Sequence, residues 1–406
     1  MTDKSPGLIA RVRAISRPSW LLVMLGMFIS VANGIYSFGF VLFLQRLGHD
    51  TAYQGLLISL MEATVALTIL PFGMLAPRAG SRRVLFLGLL VTSLAYLSIT
   101  AATALWQFVP GMLLLGLGNA LISPTLAAAL ADTVCDTDRK YLMSLNAFSS
   151  MLAGALGYGL SGLLVQLVGE LTGFRAVFGL AGAIVIFGAV LLTARMELPC
   201  APVNGISGQA RKIFPFVLPQ FVLGLGAGLV IPFFPVYFKL RFDASTQTIS
   251  TLFSVTQILW ALTYIAMPVM AEKKGSVRTL IFMQSAAVAA LFAIPLAVDF
   301  QSTAALFSVR MILMNASRPL ADSYMMTLVG KDLRSTAVAA NQLAWMLPHM
   351  ISVAAGGVLM THNREVPFFI CGVLYILSTA LYAYFFMGRD DAGNSGRRED
   401  AMRHGG

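Results

Sequence analysis

Long apolar runs, interrupted by short turn-rich or charged segments, make up most of this chain. A hydrocarbon core of about 30 Å is crossed by about 20 helical residues, whereas barrel strands read as alternating segments of about ten. The length of the runs therefore predicts helices, and twelve spans are expected at roughly 19–46, 53–75, 83–103, 106–134, 141–168, 174–195, 213–240, 247–270, 279–298, 303–329, 336–361 and 367–387. The pattern is that of an all-α integral membrane protein.

Composition agrees, with 57% of residues hydrophobic and only 11% charged, far from the usage of soluble domains. The net charge of +10 is distributed unevenly. An even number of spans puts both termini on one side, and that side collects Lys4, Arg11, Arg13, Arg17, Arg82, Arg139, Lys140, Arg195, Arg211, Lys212, Lys274, Lys331 and Arg334, together with the basic residues of two loops discussed below. The opposite side holds Arg46, Arg175, Lys239, Arg241 and Arg364. By the positive-inside rule both termini are expected in the cytoplasm, with the chain in the cell's inner (plasma) membrane. The basic balance is thus a topology signal, and no nucleic-acid partner is expected. Residues 197–212, ELPCAPVNGISGQARK, read as a cytoplasmic linker between an N-terminal half, 1–196, and a C-terminal half, 213–388; the polar stretch 389–406 reads as a disordered cytoplasmic tail.

Charges within spans are the next signal, because they persist mainly where they face a bundle interior or wet cavity. The run Phe307 to Met326 carries Arg310, Arg318 and Asp322, with Asn315 a turn before Arg318 and Pro319 in mid-helix. Arg318 and Asp322 are four apart and share a helical face. Arg318 and Asn315 are therefore candidates to bind a solute, and Asp322 to carry a proton. Asn33, Tyr36 and Asn119 are further polar candidates for shaping the site. Glu62 and His349 are second-rank proton carriers; a structural hydrogen bond is an equal account of Glu62 and the plainer account of His349. In the fifth span small residues recur at Ala153, Gly157 and Ser161, and in the seventh Gly224, Gly226, Gly228, Pro232 and Pro235 read as weak points of a bending helix.

The segment GMLAPRAGSRR, Gly73 to Arg83, resembles the cytoplasmic loop signature of the major facilitator superfamily at Gly73, Arg78, Gly80, Arg82 and Arg83; Pro77 stands where that family usually has aspartate. An echo follows the eighth span at Glu272, Lys273, Gly275 and Arg278, at a constant offset of 195 residues that also pairs Pro124 with Pro319, Arg139 with Arg334, Asn146 with Asn341 and Gly162 with Gly357. The resemblance implies two six-helix pseudo-repeats around a central cavity, and the repeat argues for the same arrangement. It also implies a conformational latch at Gly73, Arg78, Gly80, Arg83, Glu272, Lys273, Gly275 and Arg278, with Asp132 pairing an arginine of the first loop. Gly157, Tyr158, Ser161 and Gly162 are similar to a degraded form of the fifth-helix signature of proton-coupled exporters.

Other chemistries find little support. Cys135, Cys200 and Cys371 are odd in number and scattered, no nucleotide-binding glycine loop or paired histidines occur, and no metal, cofactor or enzymatic activity is expected. The expectation is a monomeric secondary active transporter of a small organic solute, working by alternating access in the bilayer and coupled to protons, with export preferred. Import of a solute or metal chelate, and a non-transporting sensor or scaffold of the same fold, remain open.

Overall fold

The computed structural model describes residues 16–73, 79–134, 136–193, 210–274, 276–329 and 334–404; side chains are not described for 73, 136–140, 193, 210–212, 264–274, 276, 323, 334–336 and 388–404. Its helices are α1 Arg17–Arg46, α2 Thr51–Gly73, α3 Ser81–Ala101, α4 Phe108–Asp132, α5 Asp136–Val168, α6 Glu170–Thr193, α7 Ala210–Val230, α8 Phe234–Phe242, α9 Thr246–Lys274, α10 Ser276–Ala293, α11 Phe300–Leu328, α12 Arg334–His362 and α13 Val366–His404. Among the described residues there is no strand. Ten segments of the described residues are long and apolar enough to cross a membrane; α7 and α8 form one of them, Ile213–Phe242, across a short 3-10 turn at Ile231–Phe233. Outside that set lie α9, whose side chains are described only to residue 263, and α11, whose apolarity is diluted by its two arginines, Asn315 and Asp322.

The chain divides into two compact units, Met1–Phe43 with Leu60–Asn204, and Leu44–Ser59 with Gly205–Gly406. In the first, α3 packs on α4 and α6, and α5 on α6. Small residues let α1 and α5 cross closely: a methyl at Gly34 would come within 2.3 Å of the Gly154 carbonyl, and one at Gly157 within 2.2 Å of that of Val31. Phe43 anchors an aromatic cluster with Phe108, Phe174 and Phe178, at centroid separations of 6.0, 5.9 and 5.7 Å.

In the second unit α7 packs on α12 and α13, α10 joins α11 and α13, and α9 lies along α11. The α7 glycines have a packing role here. Cβ atoms at Gly224 and Gly228 would sit 2.3 and 2.5 Å from the carbonyls of Trp345 and His349. The bend expected in this span falls just after them, where Val230 leaves helical geometry at φ −129° before the 3-10 turn. Residues 44–59 also belong here: the Thr51 hydroxyl donates to the Gly357 carbonyl at 2.9 Å.

Candidate functional site

The helix α11 opens with a side-chain cap. Asp299 accepts from the Ser302 amide at 2.8 Å and from its hydroxyl at 2.7 Å, satisfying one of the first-turn donors. These bonds hold its carboxyl below the usual range. Along the helix Arg310, Met314, Arg318 and Asp322 follow at four-residue intervals, which at 3.6 residues per turn keeps them on one face. That face lines a cavity of about 70 Å³ within the second unit, roomy enough for several waters. Gln220 and Ala227 from α7, Gln284 from α10, Trp345 from α12, and Tyr375 and Tyr382 from α13 complete its wall.

Arg310 is 1% exposed. It donates to the Tyr375 hydroxyl at 2.7 Å and to the Met311 sulfur at 2.9 Å. Its guanidinium carbon lies 5.7 Å from the Phe234 ring centroid and 5.5 Å from that of Tyr375, within cation–π range. Arg318, two turns further on and exposed, lies 5.6 Å from the Trp345 ring centroid. On the other side Trp345 stacks with His349, centroids 4.3 Å apart and planes at 23°. Asp322 is half-buried and accepts a long 3.4 Å hydrogen bond from Asn341, and the Arg318 charge acts on it.

Behind the cavity runs a satisfied polar relay. The Thr379 hydroxyl donates to Gln284 at 3.1 Å, and the Gln284 amide reaches the Ser317 hydroxyl at 3.5 Å, joining α13, α10 and α11 through groups that are all buried.

Of the sequence candidates, Arg318, Asn315 and Asp322 come together on the cavity wall. Asn315 turns its amide to the Met311 carbonyl of its own helix at 2.8 Å. His349 is buried and stacks on Trp345. In the first unit, Tyr36 neighbours Glu62 and Tyr96, and both tyrosine hydroxyls are buried without a hydrogen-bond partner among the described residues. Asn33 and Asn119 are half-buried on α1 and α4. Of the latch residues, Gly80 has φ 88°, a left-handed backbone that suits glycine; Arg83 and Arg278 are exposed, and Asp132 is half-buried at the end of α4. Arg78 and Gly275 and the side chains of Glu272 and Lys273 lie outside the described residues.

Arg310, Tyr375, Gln220 and Gln284 are wall residues given no role above. The signal was available for three of them: an arginine and two glutamines stand in apolar spans with nothing else to explain them. Tyr375 carries no such signal, because a membrane tyrosine is usually packing or interface material.

Residues 22–353, and again 216–403, match the family described as Major Facilitator Superfamily. A rice protein (Oryza sativa subsp. japonica) named Probable anion transporter 6 is 26% identical over 239 residues, which is 52% of this chain and 55% of that protein, so the chain spans about half the length of the curated relative it matches. Among solved structures, a bacterial homologue of the human lysosomal transporter Spinster, inward-facing and unoccupied, superposes with a TM-score of 0.72 at 13% identity, covering 90% of this chain and 97% of that one. The nucleoside transporter NupG gives 0.74 at 12% identity, covering 91% and 100%. At such identities these two establish the fold alone.

Proposed function

This multi-pass membrane chain belongs to the major facilitator superfamily, and from that premise we propose that it is a proton-coupled secondary transporter of a small organic solute, working by alternating access and not an enzyme. In this reading all twelve predicted spans cross the bilayer in two six-helix repeats, with both termini cytoplasmic. Arg318 binds the solute, Asp322 carries the proton, and Asn315 shapes the site; the Tyr36–Glu62 pair, Asn33, Asn119 and His349 are secondary candidates. The latch residues of the two loops govern the conformational change.

The observation that carries the proposal is that Arg318 and Asp322, both costly in a membrane, share one face of α11 and line a cavity among polar side chains. Had both faced lipid, a transport role would have lost its basis. The offset repeat also has a packing counterpart: α1 crosses α5 through Gly34 and Gly154, and α7 crosses α12 through Gly224 and Gly228. The rice relative's name is in keeping with an arginine-lined site. Export by exchange for protons rests on the glycines of the fifth span, which already have a packing role against Gly34 and Val31; direction is therefore better argued from electrostatics.

Reconstitution tests the proposal. Purified protein in liposomes should accumulate a solute when a pH gradient is imposed, and Asp322→Asn should uncouple accumulation from that gradient. Solute flux that ignores the gradient in the unmodified protein removes the proton role.

A further inference from the structure

Arg310 is the one fully buried charge on the cavity wall, and the transport reading leaves it without a task. Its described partners are all neutral: the Tyr375 hydroxyl, the Met311 sulfur and two aromatic rings. Among the described residues its Nε has no acceptor and no carboxylate forms an ion pair with it. A desolvated guanidinium is strongly disfavoured unless negative charge is supplied to it. Two turns along the same wall stands Arg318, and the one carboxylate lining the cavity is Asp322.

Building on the transport reading, we propose that the cavity takes a small organic oxyanion, seated on Arg310 with Arg318 as the second cation, and that this anion travels in the same direction as the proton of Asp322. The count of charges is the reason. With Asp322 ionised, the two arginines leave one positive charge in excess, which matches a monoanion. With Asp322 protonated the excess is two, so the anion is held more strongly. By reciprocity the bound anion favours the protonated carboxyl equally. Ligands that favour each other load and leave together, the relation symport needs; exchange needs competition.

The groups around Asp322 are compatible with this sign. Arg318 acts from its own helix, Asn341 from α12 and the Tyr382 hydroxyl from α13. Gln220 and Gln284 face the same cavity from α7 and α10 and carry no charge. His349 stands behind Trp345, and Asp322→Asn separates its contribution from that of the carboxyl.

The test uses the full chain, purified in nanodiscs, with acetate, benzoate, methanesulfonate and benzenesulfonate as probes, each against its neutral amide. The anions should raise the melting temperature at millimolar concentration and the amides should not. Arg310→Gln should weaken anion binding roughly ten- to a hundredfold, the range for a lost charged hydrogen bond. Without ligand this variant should melt no lower than the unmodified protein, since it removes an unpaired buried charge. Sulfonates keep their charge from acid to neutral pH; they should bind more tightly as pH falls, and Asp322→Asn should abolish that trend.

Amides that work as well as anions, or an anion response unchanged in Arg310→Gln, overturn the seat. An Arg310→Gln protein that melts lower and has lost the anion response makes Arg310 structural and also overturns it. Sulfonate binding that weakens in acid, or a pH trend that survives Asp322→Asn, overturns the coupling sign. Anion binding without flux in liposomes sinks the transport reading and leaves the anion site standing. Flux of neutral solutes unaffected by Arg310→Gln does the reverse.

Discussion

The guanidinium of Arg318 lies over the indole of Trp345, 5.6 Å from the ring centroid, so a cation expected to handle cargo is positioned by an aromatic face. Such a contact contributes from about 0.5 to 2 kcal/mol, more where water is excluded. Trp345→Leu should therefore raise the KM for transport about three- to thirtyfold while kcat changes less, and Trp345→Phe should recover part of the loss. Initial uptake rates in proteoliposomes over a range of solute concentration measure this; a Leu variant with unchanged KM would show that the ring only packs.

Asp322 accepts a hydrogen bond from Asn341 at 3.4 Å, a weak tie that leaves the carboxyl available for proton exchange. Asp322→Asn is expected to abolish accumulation against a gradient while preserving exchange of labelled for unlabelled solute across the membrane. Loss of both activities together would assign the residue to binding or folding instead.

Glycines set how closely α7 approaches its neighbours. At Gly228 an added methyl would meet the Ser352 hydroxyl at 2.1 Å and the His349 carbonyl at 2.5 Å, and backbone cannot yield as a side chain can. Gly228→Ala should cost about 1–3 kcal/mol, seen as a lower melting temperature. At Gly226 the obstacle is the Tyr375 ring at 2.9 Å, the ring whose hydroxyl accepts from Arg310. Gly226→Ala should therefore disturb the cavity more than the fold, lowering transport at nearly unchanged melting temperature.

Arg241 ties three elements together. It donates to the carbonyls of Pro295 and Ala297, both at 2.9 Å, to the Tyr237 hydroxyl, and to Glu365 at 3.1 Å. The backbone carbonyls, which its Nη2 reaches together while Nη1 serves Tyr237 and Glu365, are the larger part of this. Arg241→Lys should cost about 2 kcal/mol, whereas Glu365→Gln, at a carboxylate whose side chain is 52% exposed, should cost under about 1 kcal/mol. Melting temperatures of the two variants decide between the contributions.

The cap on α11 has a pH signature. Hydrogen bonds from Ser302 depress the Asp299 carboxyl, so its contribution is present above its unfolded pKa and is lost as pH falls through the lower folded value. Asp299→Ala should speed amide exchange in the first turn of α11 at neutral pH and by less in strong acid, where the protonated carboxyl is the weaker acceptor; Asp299→Asn should retain part of the cap, because an amide oxygen also accepts.

What this sequence determined by itself follows from the cost of placing chain in lipid. Backbone groups there must bond within their own segment, so apolar length alone announces helices, and the expense of charge in oil singled out Arg310, Arg318, Asp322 and Glu62. Tertiary structure decided which of these polar groups share a space. It set Arg318 and Asp322 on a cavity wall with Gln220, Gln284 and Tyr375, and turned Asn315 back on its own helix. It also gave the α7 glycines to helix packing and left Arg310 among neutral partners. Those outcomes depend on how helices cross, and crossing is set by contacts between residues more than a hundred positions apart, such as Gly228 and His349, which no local pattern encodes.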